Sequence, residues 1–385
     1  MTGPLLPYGR QTIEDDDIAA VAEALRGDFL TTGPLVERFE QAFAETVGAR
    51  HAVACANGTA ALHLAMLALD VRPGEAVIVP SITFLATANC ARYVGAEVVF
   101  ADVDPASGLM TPDTLRAAMA RLDGRRLRAV LPVHLRGDAV ELPALAALAA
   151  EAGAVLVEDA PHALGTTMDF GGAEERVGDV RHSAMATFSF HPVKTIATGE
   201  GGMVTTNDPT LAERLRRLRS HGMVRPEGAE PWWYEMPEPG FNYRLPDILC
   251  ALGLSQLAKL PRFADRRRAL AEAYRQALAP LAPLVRPAAS PPWSRPVPHL
   301  MTVLIDFPAA GRTRLQVVEA LKAQGIGSQV HYIPVSRQPY YRQRYGDLAL
   351  PGADAWYESC LSLPLYPGMQ DADVARVVQA LKAAL

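Results

Sequence analysis

Very little in this sequence would hold it to a membrane, a nucleic acid or an oxidising compartment. Its four cysteines, Cys55, Cys90, Cys250 and Cys360, lie far apart with no CxxC pair. Isolated thiols in apolar surroundings point to a reducing compartment and away from a disulfide framework. No apolar run reaches the ~18 residues of a membrane span. The longest candidate, residues 142–157, is broken by Pro143, Glu151 and Gly153. The opening Met1-Thr2-Gly3-Pro4 lacks the basic and apolar regions of a secretion signal. A water-soluble, cytoplasmic protein with no membrane partner is expected. Basic residues number 37 against 42 acidic ones, a net charge of −5, so no cationic excess invites nucleic acid. A P-loop signature, HExxH and paired Cys/His spacings are missing too, so neither P-loop nor metal chemistry is expected.

What is present is a long α/β pattern. The chain has 385 residues, 49% of them hydrophobic, enough for a large core and more than one unit. Thr12 ahead of Glu14-Asp15-Asp16-Asp17 predicts a helix to about Arg26, closed by Gly27; acidic residues suit the positive end of a helix dipole. Strands are predicted at 52–56, 76–79, 98–101, 129–133, 154–157 and 186–190, and helices at 59–69, 87–94, 112–122 and 142–152. The strands are apolar on both faces, as parallel strands covered by helices must be. Further helices are predicted at 208–218, 246–259 and 262–278. The proline-rich stretch 280–298 reads as a semi-rigid connector. Beyond it a smaller α+β unit is predicted, with a strand at 299–306, a helix at 313–324, a strand at 328–331 and a last helix from about Asp371.

Three places on this alternation carry chemistry together. Asn57-Gly58-Thr59 follows a strand and opens a helix, where free N–H groups and the dipole favour phosphate; the plain alternative is an ordinary N-cap turn. Glu158-Asp159 ends an apolar strand, where a carboxylate can hold a protonated pyridine nitrogen or merely cap a loop. Lys194 follows the apolar run Thr187-Phe188-Ser189-Phe190 and precedes Gly199-Glu200-Gly201-Gly202. Desolvation there lowers an amine from its usual ~10.4 and leaves it free to form a Schiff base. The run Arg214, Arg216, Arg217, Arg219 is either a solvated helix face or a contact for an anionic substrate.

At these residues the sequence resembles the DegT/DnrJ/EryC1/StrS sugar aminotransferases. The likeness runs through Leu30-Thr31-Thr32-Gly33-Pro34, Asn57 to Leu62, Pro80 to Asn89, Glu158-Asp159, Phe188 to Gly202, Gly240-Phe241-Asn242-Tyr243-Arg244 and Gln329-Val330-His331-Tyr332. It implies the aspartate aminotransferase-like fold, PLP fold type I. That fold has a large domain with a mostly parallel sheet and a smaller α+β C-terminal domain. The corresponding division is 1–34 as an N-terminal segment, 35–260 as the large domain and 261–385 as the small one.

The resemblance also implies roles. Lys194 stands where the Schiff-base lysine and proton shuttle stands, and Asp159 where the partner of the pyridine nitrogen stands. Relatives with histidine in place of Lys194 are dehydratases, so lysine implies a transaminase. Gly58, Thr59 and Ser189 match phosphate contacts of pyridoxal 5′-phosphate. Phe84 matches the aromatic that stacks on its ring, with His162 nearby. Asn242 matches a phosphate contact given across a homodimer interface, so the active sites would be shared. Tyr8, the stretch Asp28-Phe29-Leu30-Thr31, and His331-Tyr332-Ile333-Pro334 match segments that frame a nucleotide sugar. The implied substrates are L-glutamate and a UDP-linked keto sugar. A GDP- or dTDP-linked sugar, or a non-catalytic regulator that binds pyridoxal phosphate, are the competing readings.

Overall fold

The structure, a computed structural model, describes residues 5–385. Seven strands make the main sheet: β1 (His51–Cys55), β2 (Ala76–Pro80), β3 (Glu97–Ala101), β4 (Leu127–Val130), β5 (Val155–Asp159), β6 (Met185–Ser189) and β7 (Gly202–Thr206). Their order is β1-β7-β6-β5-β4-β2-β3. The five neighbours from β6 to β3 are parallel, while β7 is antiparallel to both β6 and β1. Because β7 reverses twice, β1 and β6 point the same way. The carboxyl ends of β1, β2, β5 and β6 therefore share one edge, where ligands of open α/β sheets bind. The sequence pattern omits β7: its start coincides with the glycine cluster, which reads as a turn.

Helices cover both faces. α1 (Asp15–Arg26), α2 (Pro34–Val47), α3 (Gly58–Ala68), α4 (Leu85–Tyr93), α5 (Pro112–Met119), α6 (Leu142–Glu151), α7 (Pro209–Arg219) and α8 (Asp247–Ala258) precede or alternate with the strands. Glu14, not Thr12, caps α1, through a reciprocal box with Asp17. α2, absent from the expected elements, has the usual punctuation of a helix: Pro34 at its start and Gly48 in the left-handed conformation at its end. Its Phe39 and Phe43 pack with Phe190 at ring separations of 5.4 and 5.6 Å. That cluster fixes the start of the loop carrying Lys194; each such aromatic pair contributes about 0.5–1.5 kcal/mol beyond burial.

α9 (Leu260–Leu278) leads to a three-stranded antiparallel sheet. It consists of β8 (Val285–Pro287), β9 (Met301–Ile305) and β10 (Cys360–Leu363), with β9 central. α10 (Arg314–Ala323), α11 (Pro339–Tyr345), α12 (Pro351–Ser359) and α13 (Asp371–Ala384) complete the chain. β8 and a two-residue strand at Ser294–Arg295 lie inside the expected connector. The strand expected at 328–331 is instead an irregular segment, joined to β10 through Gln329 and Ser362 alone. Two apolar clusters exist. One fills the main sheet and its helices; the other gathers Leu270, Tyr274, Val303, Val317, Leu361 and Val377. Side chains from Val335 to Cys360 join the first cluster, although they lie late in the chain.

All four cysteines are buried thiols. Burial pushes Cys55 and Cys250 up to about 12 and Cys360 to about 11, so none is a nucleophile at neutral pH. No helix among the described residues is long and apolar enough to cross a membrane.

Candidate active site

A cavity of about 670 Å³ opens at the shared edge of the sheet. Its floor begins at the N-terminus of α3. Asn57 caps that helix by accepting the Ala60 N–H at 2.8 Å, leaving the N–H groups of Gly58 and Thr59 with no carbonyl inside the helix. The approach is tight. A Cβ on Gly58 would stand 2.8 Å from Ser189 Cβ, and one on Gly202 would stand 2.4 Å from the Asn57 carbonyl oxygen. Glycine at both places lets α3 press against the ends of β6 and β7. Two backbone donors and the hydroxyls of Thr59 and Ser189 thus converge at a positive helix end. This donor set fits a phosphate.

Strand alternation decides which carboxylate serves the cavity. Glu158 points away from it and is consumed by neighbours: it accepts from Ser183 at 2.5 Å, from His134 Nε2 at 3.0 Å and from the Gly178 N–H. Asp159, the last residue of β5, lines the cavity. Its Oδ2 accepts the Thr87 hydroxyl at 2.5 Å. Burial raises the Asp159 carboxyl, against the Thr87 hydrogen bond and the charge of Lys194. A cationic ligand nitrogen beside it would return it to the ionised form. This buried acid, set across from the phosphate cradle, fits a protonated pyridine ring.

Lys194 lies on a compact loop closed at its base. Phe190 accepts from Thr198 at 2.9 Å and donates to the Gly201 carbonyl at 2.8 Å, while the Lys194 N–H bonds the His191 carbonyl at 2.8 Å. The lysine is half-buried because it faces the cavity, yet protein surrounds the cavity. Desolvation pulls its ammonium down to about 8, opposed by Asp159.

The opposite wall comes from late in the chain. His162 lies between His299, with ring centroids 4.4 Å apart, and Tyr332, stacked at 6.3 Å. His162 Nδ1 accepts the Arg136 N–H at 3.3 Å. Neutral His162 therefore carries its proton on Nε2, 3.3 Å from the Tyr332 hydroxyl. Burial holds His162 and His299 well below the usual imidazole range and His331 down to about 3. The wall is uncharged at neutral pH, so Lys194 is the basic side chain that titrates nearest to it.

Tyr8, Gly58, Thr59, Phe84, Asp159, His162, Ser189, Lys194, His331, Tyr332 and Ile333 all line this cavity. Phe84 is 58% exposed at the start of α4, 6.3 Å from the Tyr332 ring. Pro334 sits one residue beyond the wall, ahead of a short 3-10 turn. Asp28 and Phe29 line a different groove, between α1 and α8, and Leu30 and Thr31 are exposed on the loop that follows. Asn242 is exposed, paired with Ser220, and away from this chain's cavity. The arginine run is neither a plain solvated face nor a free anion site. Arg214 and Arg217 bind Glu238 at 3.0 and 2.5 Å, and Arg216 and Arg219 pair with Glu40. Thr83, Thr87, His299 and Gln329 were not legible as site residues. The sole local signal was a threonine pair four residues apart at a helix start. Among the described residues, no group of three or more His, Cys, Asp or Glu could hold a metal ion.

A desolvated lysine, a buried carboxylate and a phosphate cradle on this sheet are the parts of a pyridoxal-phosphate enzyme of fold type I. The chain belongs to the DegT/DnrJ/EryC1/StrS aminotransferase family, whose profile matches residues 11–382. It is similar to the aminotransferase TlmJ of Streptoalloteichus hindustanus, at 32% identity and TM-score 0.89, over 99% of this chain and 98% of that one. Helicobacter pylori PseC, an aminotransferase involved in the biosynthesis of pseudaminic acid, is 28% identical with TM-score 0.87, over 99% of both chains. A Streptococcus pneumoniae protein described as a sugar aminotransferase is 26% identical with TM-score 0.89, over 99% of this chain and 98% of that one, in its PLP-form. Its PMP-form matches with TM-score 0.90. Pyridoxal phosphate is the cofactor of this family.

The lysine's lowered pKa has a measurable consequence. Only a neutral amine attacks an aldehyde, and the neutral fraction of Lys194 reaches half at about pH 8. Covalent uptake of pyridoxal phosphate by the cofactor-free protein should speed up about tenfold per pH unit below that point and level off above it. Stopped-flow absorbance reads the rate. A plateau reached only near pH 10 would mean an ordinary solvated lysine.

Proposed function

We propose that this enzyme moves the amino group of L-glutamate to C4 of a UDP-linked 4-keto-6-deoxy-N-acetylhexosamine. The products are UDP-4-amino-4,6-dideoxy-N-acetyl-β-L-altrosamine and 2-oxoglutarate. The observation that carries the transaminase chemistry is the Lys194/Asp159 pair facing one cavity beside the α3 phosphate cradle. The substrate assignment rests on the full-length likeness to PseC.

Bound pyridoxal phosphate supplies an aldehyde that exchanges with amines and a ring that accepts electrons. The chain's own groups do the rest. Gly58, Thr59 and Ser189 hold the phosphate, so the cofactor stays anchored whenever its bond to Lys194 is exchanged. Asp159 keeps a positive charge on the ring nitrogen. Lys194 Nζ takes the proton from the α-carbon of glutamate and, in the second half-reaction, returns a proton to C4 of the sugar. Phe84 and His162, which line the same cavity, would border the ring. Tyr8 and the 331–334 segment border the space left for the sugar.

Asn242 belongs, in this reading, to the partner's site in a homodimer. Two features support that. Asn242 is exposed and lies off its own cavity. Beside it stands a hairpin held at its base by Glu238 with Arg214 and Arg217, and by reciprocal Val224–Glu235 hydrogen bonds. The arm leaves Trp232, Trp233, Tyr234 and Met236 exposed, an apolar tip suited to a second copy. The family motifs are shared by aminotransferases of different nucleotide sugars, which keeps a GDP- or dTDP-linked sugar as the second reading. Purified enzyme given glutamate and UDP-, GDP- and dTDP-linked keto sugars decides between them. Mass-resolved amination of the UDP sugar alone is expected; preference for another nucleotide would sink the substrate assignment and leave the transaminase chemistry standing.

A further inference from the structure

Behind Asp159 lies a pair of buried hydroxyls that the chemistry above does not use. Thr87 is 0% and Thr83 1% exposed. Thr87 Oγ1 stands 2.5 Å from Asp159 Oδ2 and 2.6 Å from Thr83 Oγ1. A hydroxyl has one proton to give. Asp159, when ionised, can only accept, so the Thr87 proton goes to Asp159 and Thr83 must donate to Thr87. The direction of the whole chain is thus fixed: Thr83 to Thr87 to Asp159. Thr87 lies in the first turn of α4, and Thr83, just before the Phe84 N-cap, folds back so that the two hydroxyls meet.

This chain of donors has two physical effects. It occupies Oδ2, so Oδ1 is the carboxylate oxygen without a protein donor among the described residues, on a side chain that lines the cavity. It also opposes the burial that raises the acid. The other titratable groups around Asp159 are Lys194, His134, Cys90 on α4 and Tyr332. His134 spends its Nε2–H on Glu158 and accepts the Val140 N–H at Nδ1. Cys90 and Tyr332 are pushed up by burial. Among the described residues, no lysine or arginine other than Lys194 is among the groups that act on Asp159.

We propose that Thr87, oriented by Thr83, is a positioning residue that keeps Asp159 ionised and turned so that Oδ1 meets the ring nitrogen of the cofactor. The proposal rests on Asp159 as the nitrogen's partner, and the test separates the two. In the cofactor-free full-length protein, the protonated-carboxyl C=O band of Asp159 is followed by infrared difference spectroscopy as pH falls, and assigned by its loss in Asp159→Asn. Thr87→Val keeps the shape and removes the donor. Its band should appear at least about one pH unit higher than in wild type, because a hydrogen bond to a charged acceptor is worth about ten- to hundredfold. Thr87→Ser should titrate as wild type. Thr83→Val should shift in the same direction by less. In the holoenzyme, Thr87→Val should lose about tenfold or more in kcat, with the KM for glutamate within about twofold.

A wild-type midpoint in Thr87→Val, or a Thr87→Ser midpoint that stays shifted, overturns the proposal. Should Thr87→Val fail to fold by circular dichroism, Thr87→Ser and Thr83→Val carry the test, and an unshifted Thr83→Val overturns it. A shifted band together with full activity in Asp159→Asn would leave the hydroxyl chain standing and remove the reading of Asp159.

Discussion

Lys194→Ala is expected to lose multiple-turnover transamination by at least about a thousandfold while retaining part of its pyridoxal phosphate. The two effects separate because the structure separates their causes. Covalent capture and proton transfer belong to one amine, and acid–base catalysis alone is worth about 10²–10⁴-fold. In the proposed reading, anchoring of the phosphate falls to the N-terminus of α3 and to Ser189, which the substitution leaves in place. Alanine puts no bulk into the cavity and, among the described residues, breaks no side-chain hydrogen bond of Lys194. The loop itself is held through backbone bonds at Phe190, Thr198 and Gly201. Cofactor content by absorbance and product by mass spectrometry measure the outcome. Sustained turnover in the purified variant would remove Lys194 from the chemistry.

Asp159→Asn should cost at least about a hundredfold in rate with cofactor saturated, and much less in cofactor affinity. The amide is nearly isosteric, so the packing behind β5 survives. Its oxygen can take the Thr87 proton as the carboxylate oxygen does. The amide NH₂ then faces the cavity and presents a donor where the ring nitrogen needs an acceptor. The ring loses its proton and much of its capacity to take up negative charge. Removing one preorganised partner of developing charge typically costs about 10²–10³-fold. Near-wild-type turnover at saturating cofactor would refute the role. Loss of cofactor binding in step with rate would assign Asp159 to anchoring.

The parts of this fold that could be read from sequence are those written locally. An apolar strand followed by a polar pair announces Asp159, and a second one followed by a lysine and glycines announces Lys194. β7 could not be read, because Gly202 serves two purposes: it begins a strand and lets the Asn57 carbonyl approach. β10 is four residues long and polar at Ser362, which spends its hydroxyl on Thr302 and on His331 inside the protein. The segment 328–331 resembles a strand but makes a single bridge, since Gly327 lies hard against the backbone of Leu6 and Tyr8. α2 was legible and missed; Gly33-Pro34 and Gly48 mark both its ends. On the far wall of the cavity, His162 and the 331–333 segment are marked only through the family resemblance, and His299 has no signature. His162, His299 and Tyr332 become neighbours only through long-range packing.

That wall gives the site an order in time. Tyr8 is pinned to the late chain, since Leu6 exchanges hydrogen bonds with Gly325 and Gly327, and the Tyr8 carbonyl accepts from Leu365. During synthesis the ribosome will have emitted β1 to β7 long before residues 325–365 can close over them. The finished pocket therefore cannot exist before that late segment is made. Ligand that prefers the closed pocket thus acts as a thermodynamic lock on both ends of the polypeptide at once. At a free concentration a hundred times its dissociation constant, a ligand bound only by the folded state adds about 2.7 kcal/mol to stability. Vitamin supply would then govern how much of this protein survives in the cell as well as how fast it works.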